Sequence, residues 1–344
     1  MRTEEVDRVS VGLLAELGIT ASDHVLGELE RHHIVERRRG ARITYLVVRS
    51  KSGVALGLLP LYRLPRPFDA SLAPENIFEG GPATTGSRLC SAGGAGGYRN
   101  HLLLKSPIEP ACAADAARAL ISAAREVASA GGCTQLLIPD LDPEQARWLA
   151  GFETEALAAA TRDKAVLPIA WSDFSEYLAA LPRKRRWQVR QERRAFADSG
   201  IVIRDEPLSA VAAEVAPLLA QTQRRHGDTA DPLEAEFYLA MLAMTPGSEV
   251  RALVGYLPGG PVAFSVVHRR GGTWAVRAVG RDYAAPDHSQ YFNLTYYEPI
   301  ARAIAEGATL IDFGTGSLPA KRFRGCSLQP LRSLLIPASP TRER

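Results

Sequence analysis

Cysteine is scarce: four residues in 344 (Cys90, Cys112, Cys133 and Cys326), none in a CxxC or Cys/His ligand spacing. That excludes a disulfide framework and a structural zinc site, and the pattern calls for no metal. No apolar run approaches the roughly 18–20 residues of a membrane span, which excludes an integral helical membrane protein. Met1-Arg2-Thr3-Glu4-Glu5 lacks the basic-then-apolar layout of a secretory signal, so a reducing cytoplasm is the expected location. Excess charge is missing too. Lys and Arg number 41 against 38 Asp and Glu, a net +3, so any polyanion contact must come from local clustering. No Ser-His-Asp elbow, HExxH or GxxxxGK[ST] occurs. The glycines from Gly93 to Gly97 miss the spacing of a dinucleotide fingerprint and read as a mobile loop over a domain cleft.

What remains is an ordinary globular composition, 46% hydrophobic and 23% charged, long enough for two cores. The first twenty residues are helical in pattern. Two β-branched and leucine-rich runs, Ile43–Val48 and Val54–Leu61, flank the hairpin turn Lys51-Ser52-Gly53. A Pro-, Gly- and Ser-rich stretch from Pro65 to Gly97 reads as loop. Residues 111–130 form a helix stopped by Gly131-Gly132, followed by the short strand 135–139 and a helix begun by Asp142-Pro143. A break near residues 155–172 divides the chain into 1–165 and 166–344. Beyond it come a helix capped by Asp173, a basic helix from 182 to 199, a strand at 201–203, and helices near 208–226 and 232–244. Three meander strands (250–256, 261–267, 273–279), a helix near 289–306, and strands at 309–313 and 331–336 complete the order. Each half mixes an antiparallel meander with later β-α-β elements, an α+β class.

The basic helix is the sharpest physical feature. At about 100° per residue, Arg183, Arg186, Arg190, Arg193 and Arg194 share one stripe with Trp187 at its edge, opposite the apolar Val189 and Phe196. Like charges at these spacings repel by roughly 0.2–0.5 kcal/mol per pair in an isolated helix. An anionic partner would compensate: guanidinium forks match phosphate, and Trp187 could stack on a base. A solvated face with Glu192 and other acids as counter-charges is the plainer alternative.

The order helix, helix, three-stranded meander, helix, strand, glycine turn, strand resembles the GNAT acyltransferase fold. The run Leu181–Arg194, the helix Gln290–Ile300, and the closing Asp312-Phe313-Gly314-Thr315-Gly316 with Ala320-Lys321-Arg322-Phe323-Arg324-Gly325 resemble the Fem-type, double-GNAT transferases over residues 170–338. That resemblance implies two GNAT-like lobes with mixed sheets, the second lobe carrying donor and chemistry. It implies transfer of an acyl or aminoacyl group to an amine, from charged tRNA in the Fem group and from an acyl thioester in relatives. It also implies that Lys321 stabilises the oxyanion of the transfer, with Gly314, Thr315 and Gly316 letting backbone approach the substrate. Arg322 and Arg324 flank Lys321 and are candidate phosphate ligands.

The fourth-strand junction, Val279 to Ser289, has one glycine, a proline and two aspartates, which departs from the glycine-rich pyrophosphate cradle of CoA-dependent relatives. Candidate bases are His288, beside Asp287 and ahead of a helix, and Glu298, whose neighbour Pro299 should perturb its helix. His226 ends another helix, where the dipole favours its charged form. The expectation is an aminoacyl-tRNA-dependent transferase acting on a small amine, a cell-wall precursor or specialised metabolite. The acceptor would lie near Tyr98, Tyr291, Tyr297 and His226. No cofactor is needed beyond the donor itself. An acyl-CoA or acyl-carrier-protein donor and a non-catalytic recognition protein stand as alternatives.

Overall fold

The computed structural model describes residues 1–19, 40–65, 72–79, 88–93, 100, 102–152, 155–227, 231–245 and 248–338. The chain forms two compact units, Met1–Asp163 with Pro330–Arg344, and Lys164–Gln329.

The first unit is built on strands β1 (Arg2–Val6), β2 (Arg42–Arg49), β3 (Ala55–Pro65), β4 (Arg88–Ser91), β5 (Leu103–Leu104) and β6 (Gln135–Leu141). The β2–β3 hairpin forms as the turn chemistry requires, with Gly53 at φ 87°. β4 and β6 run parallel, paired at Cys90–Leu136 and Ser91–Leu137. The helix Pro110–Ala130 buries Ala116, Ala117, Leu120, Ile121, Ala124 and Ala128, a stripe of three- and four-residue steps, in the core with Leu46, Leu59 and Leu136. The N-terminus corrects the all-helical reading: Arg2–Val6 is a strand on the edge of β2, and only Val11–Glu16 is helical. The strand's residues are half-buried or exposed, and it pairs with β2 from Arg2–Arg49 to Val6–Tyr45.

In the second unit the strands are β7 (Leu157–Pro168) from Lys164 on, β8 (Val202–Pro207), β9 (Glu249–Leu257), β10 (Gly260–Arg270), β11 (Thr273–Arg281) and β12 (Leu310–Gly314). Their order is β7-β12-β11-β10-β9-β8. All neighbours are antiparallel except β11 and β12. Leu253, Ala263, Val267 and Val276 face one core with Tyr177, Val189 and Tyr297. Val254, Phe264, Val266 and Ala278 face another core, under the helix Leu208–Arg225. Alternation thus buries the sheet on both faces. A Cβ on Gly280 would stand 2.4 Å from the Phe264 ring and 2.7 Å from the Leu218 carbonyl carbon, so glycine there lets helix and strand close up.

β13 (Ser327–Pro337) ends the described fold, its later residues paired with β6. The units divide at Asp163–Lys164, within the twelve-residue strand β7. The sequence reading placed everything beyond residue 165 in the second half, but the chain from Pro330 belongs to the first unit. The α+β class stands.

Candidate functional site

β11 and β12 pair only at Thr273–Leu310, Trp274–Ile311 and Ala275–Asp312. β11 then runs on to Arg281 without that partner. At the last shared position sits a buried cluster of charge. Asp312 Oδ2 accepts from Lys164 Nζ on β7 and from Arg277 Nη2 on β11, each at 2.8 Å, while Oδ1 accepts the Gly314 N–H at 2.7 Å. Burial opposes ionisation of this carboxyl, but the two cations overcome it and hold it well below the usual carboxylate range.

Gly314 adopts φ 72°, a left-handed turn that carries β12 into the short helix Leu318–Arg322 and delivers Lys321. Lys321 is only 7% exposed, and no hydrogen bond or ion pair holds its ε-amine among the described residues. Burial pushes its pKa down to about 8; the Asp312 charge opposes this and Arg277 adds to it. Cys326 stays a thiol, pushed up to about 12 by burial, so Asp312 is the anion beside Lys321 at neutral pH.

A second polar centre anchors the basic helix Arg183–Ala197. Glu192 accepts from the Tyr297 hydroxyl and, at 3.0 Å, from Arg324 Nη2. Arg324 Nε also donates to the Tyr297 oxygen at 3.1 Å, and its guanidinium lies over the rings of Phe292 and Tyr296. Tyr297 belongs to a five-residue π-helical segment, Asn293–Tyr297. Pro299, lacking an N–H, cannot donate to Thr295 in the α register. Glu298 instead donates to Asn293, and the freed Leu294 carbonyl accepts the Ser265 hydroxyl at 2.6 Å.

These contacts correct several sequence expectations. Arg324 is turned inward and spent on Glu192, and Tyr297 is fully buried, so neither offers a face to phosphate or acceptor. The stripe divides as well. Arg193 lies over the Phe174 ring and 3.8 Å from Glu298. Arg183, Arg190 and Arg194 are exposed, Arg186 is half-buried, and Trp187 is 63% exposed. Arg183, Arg186 and Arg190 have no carboxylate partner among the described residues, whereas Arg194 lies 3.9 Å from Asp198. Arg322 is exposed and Thr315 half-buried, while Gly316 borders open space.

His288, Glu298 and His226 are not drawn to Lys321. The His288 amide donates to Gln290 Oε1, Glu298 also stands 3.8 Å from Arg302, and His226 is exposed at its helix end. Tyr291 is half-buried against Phe292. Tyr98 and the glycines Gly94, Gly96 and Gly97 lie outside the described residues. Lys164 and Arg277 went unread in the sequence, although Arg277 places a charge between the apolar residues Trp274–Val276 and Ala278–Val279.

The junction after β11 has its own pattern. The Arg281, Tyr283, Ala284, His288 and Ser289 N–H groups donate to Thr222, Gln221, Asp282, Gln290 and Asp287 side chains respectively. Arg281 itself lies 3.3 Å from Asp287. Among the described residues, no group of His, Cys, Asp or Glu could hold a metal ion, and no helix is long and apolar enough to cross a membrane.

Residues 183–322 match the model of a family described as an acetyltransferase (GNAT) domain. No curated protein matches the sequence. Among solved structures the chain is similar to FemX, with TM-score 0.65, 13% identity and 96% of each chain covered. It is similar also to a tandem GNAT protein from the clavulanic acid biosynthesis pathway, with TM-score 0.53, 14% identity, and 99% of this chain and 100% of that one covered. A third likeness is to the C-terminal domain of a putative lysylphosphatidylglycerol synthetase from Agrobacterium fabrum, with TM-score 0.53, 12% identity and 90% of each chain covered.

Proposed function

On the premise of a GNAT acyltransferase domain at residues 183–322 within a Fem-like double-GNAT fold, we propose that this enzyme transfers an aminoacyl group from aminoacyl-tRNA to the amine of a small acceptor. The observation that carries the reading is the outward row Arg183, Arg186 and Arg190 beside exposed Trp187, without carboxylate partners among the described residues. A phosphodiester chain with stacked bases suits that chemistry. The junction after β11 supports it, because five of its N–H groups, those of Arg281, Tyr283, Ala284, His288 and Ser289, donate to the protein's own side chains rather than standing ready for a pyrophosphate. The Agrobacterium relative's name attaches an aminoacyl product, lysylphosphatidylglycerol, to this fold.

In this reading the acceptor amine attacks the ester carbonyl, and the carbonyl π electrons move onto oxygen. The C–O bond to the terminal ribose then breaks, the ribose hydroxyl takes a proton, and the amine loses one. Lys321, protonated below about pH 8, supplies positive charge to the transient oxyanion. Gly316, with open space where a Cβ would stand, gives the substrate close access to backbone.

The same arginine row would suit an acidic carrier protein bearing an acyl thioester, which is the second reading. The deciding experiment incubates the purified protein with radiolabelled aminoacyl-tRNA pools, acyl-CoAs and amine acceptors, with and without ribonuclease. Ribonuclease-sensitive transfer is expected. Ribonuclease-insensitive turnover of a thioester, or thermal stabilisation by CoA, overturns the tRNA donor.

A further inference from the structure

The carboxylate of Asp312 does more than pair with its neighbours. Its Oδ1 fixes the first amide of the turn that leads to Lys321, through Gly314 N at 2.7 Å. Its Oδ2 joins the two strands flanking β12, through Lys164 on β7 and Arg277 on β11. One buried side chain therefore ties three strands at the level where β11 and β12 separate. Charge is unbalanced there: two cations share a single anion, and a protonated Lys321 adds a third. The groups acting on Lys321 are Asp312 from β12, Arg277 from β11 and the Cys326 thiol ahead of β13, with Lys164 reaching it through Asp312.

We propose that Asp312 is a positioning residue for Lys321, holding the Gly314 turn with one oxygen and setting, with the other, the balance of charge around the ε-amine. This rests on the role given to Lys321 above. Competition for one carboxylate has a two-sided consequence. Removing the Asp312 charge leaves Lys321 among cations and drives its proton off at lower pH. Removing Lys164 frees the carboxylate to act on Lys321 and keeps its proton to higher pH.

Asp312→Asn keeps an acceptor for the Gly314 amide and removes only the charge. Lys164→Met removes only the competitor, and Asp312→Asn with Lys164→Met limits the surplus of buried cations should the single variant fold poorly. The first readout needs no substrate. NMR of protein labelled at lysine Cε, with the Lys321 signal assigned by its loss in Lys321→Met, should show titration moving down in Asp312→Asn or the double variant and up in Lys164→Met. A Lys321 titration unmoved in Lys164→Met overturns the proposal even if neither Asp312 variant folds.

The second readout is kinetic. In Asp312→Asn or the double variant, kcat should fall roughly tenfold or more with KM changed less than about twofold, and the alkaline limb should shift to lower pH. Rates and pH profile equal to wild type would also overturn it. If the NMR shifts appear while aminoacyl-tRNA is not consumed, the donor reading falls and the role of Asp312 in setting the Lys321 environment stands.

Discussion

Glu192 and Arg324 meet at 3.0 Å in the interior of the second unit. Glu192 is the single acid on the helix Arg183–Ala197, which otherwise carries seven Arg and Lys residues. Its carboxylate is therefore turned away from the arginine row and neutralises an arginine from another segment. The row is left uncompensated by its own helix.

Breaking that pair should be costly. Glu192→Ala strands the Arg324 guanidinium and the Tyr297 hydroxyl, and the expected loss is about 3–5 kcal/mol of stability. Glu192→Leu with Arg324→Met should recover most of it. Urea denaturation of the three proteins checks both statements, and an unchanged midpoint in Glu192→Ala refutes the first.

Lys321 should show opposite effects on activity and stability. Lys321→Met is expected to lower kcat by roughly 10²–10³ if the ammonium stabilises an oxyanion. The folded pKa of about 8 lies below the ordinary 10.5, so the unfolded chain binds more protons between those values and stability rises with pH across that window. Below pH 8 the buried cation costs the fold about 3 kcal/mol. Lys321→Met should therefore be more stable than wild type near pH 7, with the advantage gone by pH 10.5. Denaturation midpoints at pH 7 and 10.5 test the sign.

For the arginine row, replacing Arg183, Arg186 and Arg190 by alanine should weaken tRNA binding uniformly across tRNA sequences. The slope of log K against log salt should fall by about one per residue that contacts phosphate. Folding stability should stay within about 0.5 kcal/mol, because none of the three has a carboxylate partner among the described residues and two of them are exposed. Fluorescence anisotropy at several salt concentrations measures the slope, and identical slopes would remove the row from the donor site.

Ser265→Ala tests the π-helical segment. Its hydroxyl serves the buried Leu294 carbonyl that the Pro299 register leaves free. Deleting it should cost about 1–3 kcal/mol. Thermal unfolding gives the value, and a neutral substitution would mean that the carbonyl is satisfied otherwise.

Legibility in the sequence followed the range of the interactions. The β2–β3 hairpin, the Pro110–Ala130 helix and the Asp173 cap are local, and the residues announce them through turn chemistry, periodicity and an N-cap oxygen 2.9 Å from the Glu176 amide. Pro299 likewise signalled a disturbed helix, though not its π register. The site was only half visible. Lys321 and Gly314 stood in a recognisable run, whereas Lys164 lies 148 positions from Asp312, in the region read as the break between the halves. No spacing rule joins residues so far apart.

By itself, then, the sequence determined the α+β class, the order of most elements and the concentration of arginine on one helix, because backbone propensity and side-chain period act over a few residues. Tertiary structure alone decided which of those arginines remain outside, that Arg324 and Tyr297 close on Glu192, and that Asp312 gathers Lys164 and Arg277 beside a buried Lys321. Burial makes each of these choices. A charge taken out of water must find its opposite, and only the folded chain fixes which opposite is within reach.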